Sequence, residues 1–343
     1  MRKGTKAARP LRRQVSMVRP VPALAELFRP IAEDLEHSAR IFREELSTGH
    51  PFLCELCEHV ERFGGKRIRP ALLLLSGRAC GHVGRAHHVL AAVVEMVHLA
   101  TLVHDDVLDE ADVRRRVATV SSRWGTETAV LLGDFLFSHA YRLCSSLDSQ
   151  FAAQLVGQTA VTLCAGELMQ ISHCDDFGLR EQEYLEIIER KTAALLGTCC
   201  LLGARFAGAD EATVRRLHEF GLALGVAFQI IDDVLDLVGD EAEVGKSLGR
   251  DVQKGKLTLP LIHYLRGCDS AARRAALELL RSSDPQRSRR IAELLTDSGS
   301  LEYARQAAGA RIRHALDLLA ALPPGPARDA LATLAEFVVT RRQ

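Results

Sequence analysis

Residues 86–109 read AHHVLAAVVEMVHLATLVHDDVLD, and this stretch decides the fold. It is apolar on nearly every face for about five turns, so it reads as a helix enclosed by other helices and placed at the centre of a bundle. On its N-terminal side, Leu24, Leu27, Phe28, Ile31 and Leu35 share one helical face,. The same periodicity predicts helices over 51–62, 68–80, 126–146, 150–173, 181–207, 211–238, 257–266, 270–281, 286–297, 300–321 and 326–341. Breaks fall at Gly64-Gly65, Gly81 to Gly84, Gly208, Gly239 and Pro323-Pro324-Gly325, residues that end helices or turn the chain,. No β-hairpin or βαβ signal is present. The expectation is an all-α chain with one large domain over 21–343. Residues 1–20 carry seven Lys and Arg and no acid, so they read as a solvated, disordered basic tail, with a transit peptide or a weak membrane-surface contact as the alternatives,.

Composition supports the helical reading, because aromatic residues are only 5% of 343 while 47% are hydrophobic, which also excludes a largely disordered chain,. Lys plus Arg and Asp plus Glu are 44 each, a balance that argues against a nucleic-acid-binding surface,. Nine Cys, an odd number without zinc-site spacing, read as reduced core thiols of a cytoplasmic protein,. The uncharged runs 192–204 and 220–231 fall short of the ~20 residues of a membrane span.

The opening stretch ends in Asp105-Asp106-Val107-Leu108-Asp109, and the same five residues recur as Asp232-Asp233-Val234-Leu235-Asp236. In a helix the first and fifth residues lie one turn apart on one face, where like charges repel and the helix dipole disfavours them. A cation offsets both costs. Carboxylate oxygens without nearby His or Cys suit Mg²⁺, which is typically held by few carboxylates plus substrate phosphates. Cations stand ready in three places: Lys66, Arg67 and Arg69 behind a glycine turn, Arg114-Arg115-Arg116, and Lys246, Arg250, Lys254 and Lys256 in a glycine-punctuated loop. Flexible backbone, Lys point charges and Arg forks are what diphosphate recognition requires.

GGKRIRP at 64–70, EMVHLATLVHDDVLDEADVRR at 95–115, GELMQ at 166–170, KTA at 191–193, FQIIDDVLD at 228–236 and GKSLGRDVQKGKLTLP at 245–260 together resemble the trans-isoprenyl diphosphate synthase (polyprenyl synthetase) family from about residue 22 onward. The resemblance implies a helical bundle of the isoprenoid synthase fold around a central cavity, usually a homodimer. It implies a prenyltransferase that condenses isopentenyl diphosphate head-to-tail with an allylic diphosphate, using three Mg²⁺: two on Asp105 and Asp109, one on Asp232 and Asp236. It further implies an isopentenyl diphosphate clamp of Lys66, Arg69, His98 and Arg115, and allylic diphosphate contacts from Arg114, Lys191, Lys246 and Lys256. Thr192 and Gln229 resemble the polar groups beside the carbocation. Asp106 and Asp233 fit supporting hydrogen bonds better than metal ligation. One departure is Arg116, where the family usually has Gly after its arginine pair.

In this family a bulky residue four or five positions before the first aspartate stops product growth early. Ala100 and Thr101, with Val97, Val93 and Val94 behind them, therefore imply an open tunnel and a long product, unless Phe135 or Phe137 closes it from another helix. The alternatives are a short-chain synthase making geranylgeranyl or farnesyl diphosphate, and a non-catalytic subunit of a heteromeric synthase. A complete second DDxxD counts against a terpene cyclase. Membrane contact is expected at most peripherally, for product release.

Overall fold

The computed structural model describes residues 24–47, 49–63, 65–239, 249–282, 284 and 286–341. The basic tail, Gly64, Lys246 and the rest of 240–248 lie outside the described residues. The chain begins with α1 (Leu24–Leu27), a 3₁₀ turn at Arg29–Ile31, α2 (Ala32–Leu46), α3 (Pro51–Glu61) and α4 (Ile68–Ala79). The opening stretch forms α5 (Arg85–Leu108), followed by α6 (Val120–Trp124), α7 (Thr126–Ser145) and α8 (Gln150–Ser172). Next come α9 (Glu181–Ile188), α10 (Ala194–Phe206) and α11 (Glu211–Val238). The chain closes with α12 (Arg250–Gln253), α13 (Leu259–Gly267), α14 (Ser270–Arg281), α15 (Arg287–Asp297), α16 (Ser300–Ala320) and α17 (Pro326–Thr340).

α5 packs against α2, α4, α7 and α10, which is why it is apolar all round,. By length and composition alone it could cross a membrane, but 67% of its most apolar window is buried within the bundle. α4 contributes Leu72, Leu73, Leu74 and Leu75, all enclosed, because α10 covers one of its faces and α5 another. α11 lies between α10 and α16. Polar caps start several helices: the Asp210 carboxylate accepts from Thr213 N–H at 2.7 Å, and Asp269 accepts from the N–H groups of Ala271 and Ala272,.

The expectation of no hairpin is corrected. Val113–Arg114 and Val117–Ala118 pair antiparallel, with Arg115 and Arg116 as a two-residue turn at φ 50° and 66°. Two left-handed residues match the twist of a tight hairpin, but Asn-Gly normally supplies them. Arginine at both positions hides the turn from a composition-based reading.

Candidate active site

Both aspartate motifs open on the same end of the bundle, where the segment around α12 touches each. Lys256 Nζ lies 3.2 Å from Asp109 Oδ1, while the Asp251 backbone N–H donates to Asp236 Oδ2 at 3.1 Å. Lys254 joins the first contact, donating to the Asp109 backbone oxygen at 2.7 Å and pairing with its carboxylate at 2.6 Å. Burial pushes the Asp109 carboxyl up, but the two ammonium groups override it and hold the pKa at about 2,. One turn earlier, Asp105 is lifted to about 6, chiefly by burial, with Lys191 pulling it down. Asp251 is raised to about 7 by burial and by the neighbouring Asp236, itself raised by burial. The second residues of the motifs are enclosed and hydrogen-bonded. Asp106 takes Arg114 Nε on both oxygens at 2.9 and 3.0 Å, and Asp233 accepts from Tyr184 and Gln229.

A cavity of about 610 Å³ adjoins the second motif, with Asp232 and Asp236 in its wall. Lys66, Arg69, His98 and Arg115 all line it, so the structure brings together the four residues read as one clamp. Lys66 is lowered by burial and then by Arg341 and Arg115. His98 is pushed well below its usual value by burial and by Arg69, Arg115 and Arg114, so it stays neutral at physiological pH,. Arg69 Nε is buried and has no hydrogen-bond partner among the described residues. Enclosing the Arg69 guanidinium beside Arg115, with an N–H left over, costs free energy that an anionic ligand in the cavity would recover,.

Lys191 and Thr192 sit in a π turn, Glu189–Ala193, between α9 and α10. The chain can widen there because its neighbours are glycines. A Cβ on Gly166 would lie 2.6 Å from the Lys191 backbone nitrogen, and one on Gly225 would lie 2.4 Å from Ala193 Cα,. Lys191 pairs with Glu167 and donates to Gln170 Oε1 at 2.7 Å, while Thr192 donates to Gln229 Oε1 at 2.9 Å. Ala100 and Val97 are fully enclosed, Thr101 donates to the His98 backbone oxygen, and none of the three lines the cavity. Phe135 and Phe137 on α7 stand beside the rings of His139 and His104.

Sequence reading missed several groups. Arg341, at the end of α17, lines the cavity, stacks 4.0 Å over Phe228 and donates to the Phe228 backbone oxygen at 2.9 Å. It also reaches Asp232, and its Nε is a second buried orphan among the described residues. Glu95, raised by burial against the pull of Arg69, lines the same wall. Glu167, Tyr184 and Asp251 complete the set. Only the acids within quoted motifs left a signal, because the others are brought in from distant helices.

The donors at both motifs are carboxylate oxygens without imidazole or thiolate. No cluster of three or more His, Cys, Asp or Glu able to hold a metal by itself occurs among the described residues. That set fits a hard divalent cation which completes its shell with phosphate oxygens and water.

A helical bundle with paired carboxylate motifs and a cation-ringed cavity defines an isoprenoid-synthase-fold enzyme. Residues 50–297 match the profile of the polyprenyl synthetase family. The octaprenyl diphosphate synthase of Escherichia coli is 34% identical over 311 residues, covering 90% of this chain and 96% of that protein. A short chain isoprenyl diphosphate synthase from Methanothermobacter thermautotrophicus is 35% identical over 304 residues, covering 87% and 94%. The crystal structure of a decaprenyl diphosphate synthase from Rhodobacter capsulatus superposes with a TM-score of 0.88 at 36% identity, over 94% of this chain and all of that one. The chain belongs to the polyprenyl synthetase family and is a trans-prenyltransferase.

Proposed function

We propose that the chain condenses isopentenyl diphosphate head-to-tail with an allylic diphosphate, in the presence of Mg²⁺, to make a long-chain polyprenyl diphosphate. The observation that carries this reading is two DDVLD motifs tied to one segment of chain, beside a cavity lined by the cations Lys66, Arg69 and Arg115. Asp105 with Asp109, and Asp232 with Asp236, are the residues to hold three Mg²⁺. When bound, these ions supply charge neutralisation for the departing diphosphate. Lys191, Lys256, Arg114 and Lys246 grip the allylic diphosphate, and Lys66, Arg69, His98 and Arg115 hold the isopentenyl diphosphate. The allylic C–O bond breaks with its electron pair leaving on the diphosphate. The isopentenyl double bond then attacks the allylic carbon, and the proton lost from the adduct passes to the released diphosphate. Thr192 and Gln229 stand beside the cation with oxygen lone pairs,.

Chain length rests on the α5 residues before Asp105, which pack behind the cavity, since relatives of similar identity carry long-chain and short-chain names. Ala100 and Thr101 put no bulk there. Nine free thiols, none in a disulfide, support a reducing compartment such as the cytoplasm,. A homodimer is supported by exposed apolar residues on α8, Val161, Leu168 and Ile171, and on α7, which packs against it, Leu131 and Tyr141,.

The test is the purified chain alone with labelled isopentenyl diphosphate, an allylic primer and Mg²⁺. Products longer than four isoprene units are expected, with turnover abolished by chelation. A product stopping at four units favours the short-chain synthase. Turnover only after a partner is added favours the non-catalytic subunit. Ala100→Phe should shorten the product on the same chromatogram.

A further inference from the structure

We infer that Tyr184 and Asp233 are positioning residues for the carbocation step, acting as a directional hydrogen-bond relay that aims oxygen, not N–H, at the developing cation. The inference rests on the function proposed above. Tyr184 hydroxyl donates to Asp233 Oδ2 at 2.6 Å, Gln229 Nε2 donates to Asp233 Oδ1 at 2.7 Å, and Thr192 Oγ1 donates to Gln229 Oε1 at 2.9 Å. Each link sets the next. With the phenol on Oδ2, Oδ1 is left to take the amide nitrogen of Gln229. The carboxamide is thereby fixed with Oε1 toward Thr192, and Thr192 places its only proton on Oε1. What Thr192 Oγ1 and Gln229 Oε1 offer onward is lone pairs, the polarity an allylic cation needs,.

Burial separates the roles. Tyr184 and Asp233 are enclosed, with no surface for substrate, while Thr192 and Gln229 keep partial exposure. Without the phenol Asp233 loses one of its two donors and can rotate, so the Gln229 amide is held less firmly and can turn an N–H toward the cation, which raises the barrier,. A buried Tyr–Asp pair spanning α9 and α11 could also serve only to join two helices, and the test separates the two.

Tyr184→Phe removes the hydroxyl and keeps the ring. Two allylic analogues with the same diphosphate are titrated by calorimetry with Mg²⁺: a non-ionising thiolodiphosphate, neutral at the reacting carbon, and an amine whose ammonium stands at that carbon. The expected result is about tenfold weaker binding of the ammonium analogue with the thiolodiphosphate unchanged, and a similar fall in kcat at constant KM for isopentenyl diphosphate, the loss of one buried hydrogen bond. In a Gln229→Leu background, Tyr184→Phe should add nothing. The relay is overturned if both analogues weaken together, if neither changes, or if the Tyr184 and Gln229 effects multiply. Should Tyr184→Phe fail to fold, Asp233→Asn, read by the same pair of analogues, decides the matter. A wild-type chain without turnover overturns the parent function and this inference with it, whereas normal wild-type turnover with an unaltered Tyr184→Phe overturns the relay alone.

Discussion

Asp105 carries a measurable pH signature. Its folded pKa of about 6 lies above its ordinary 3.8, so the protonated form favours folding, and that advantage is lost as pH rises through about 6,. At pH 7.5 the metal-free protein bears a largely enclosed charge costing on the order of 3 kcal/mol. Asp105→Asn should therefore raise the melting temperature at pH 7.5 in chelator, make no difference below pH ~4 where the wild-type carboxyl is protonated, and abolish turnover at every pH. Equal melting at pH 7.5 would refute the burial argument. Single residues also mark the limit of sequence reading. Lys66, Arg69, His98 and Arg115 were legible because each sits in a short motif. Arg341 was not, since its contact with Asp232 joins positions 109 apart and its local sequence, Thr340-Arg341-Arg342, reads as an ordinary basic terminus.

Among elements, the helices followed their hydrophobic periodicity closely, because long apolar repeats leave little choice of face. Two details escaped for steric reasons. The π turn at 189–193 depends on glycines in α8 and α11 that meet it only in three dimensions. Gly225→Val should push Ala193 away, destabilising the fold by about 1–3 kcal/mol and lowering kcat more than a surface mutation of equal cost. Thermal melts beside kinetics would show whether the two losses part. The hairpin escaped because its turn breaks the composition rule. Arg116→Gly removes one left-handed arginine and should stabilise the protein by about 1 kcal/mol, with turnover retained,.

For the whole molecule, the homodimer proposed above predicts that the unaltered chain sediments as a dimer and that Leu168→Glu, on the exposed stripe of α8, sediments as a monomer,. Equal sedimentation coefficients for the two chains would refute pairing through this stripe. The ammonium groups of Lys254 and Lys256 have a consequence for the life of the protein before it meets any ligand. They give Asp109 an internal counter-ion, so half of the charge pair in the first aspartate motif is balanced before any ion binds, and the cost left on Asp105 is small beside the stability of the fold,. The chain should refold from denaturant in EDTA at its normal rate and survive dialysis against chelator, ready for immediate reactivation. Its dependence on divalent ions would then be a property of turnover and not of survival.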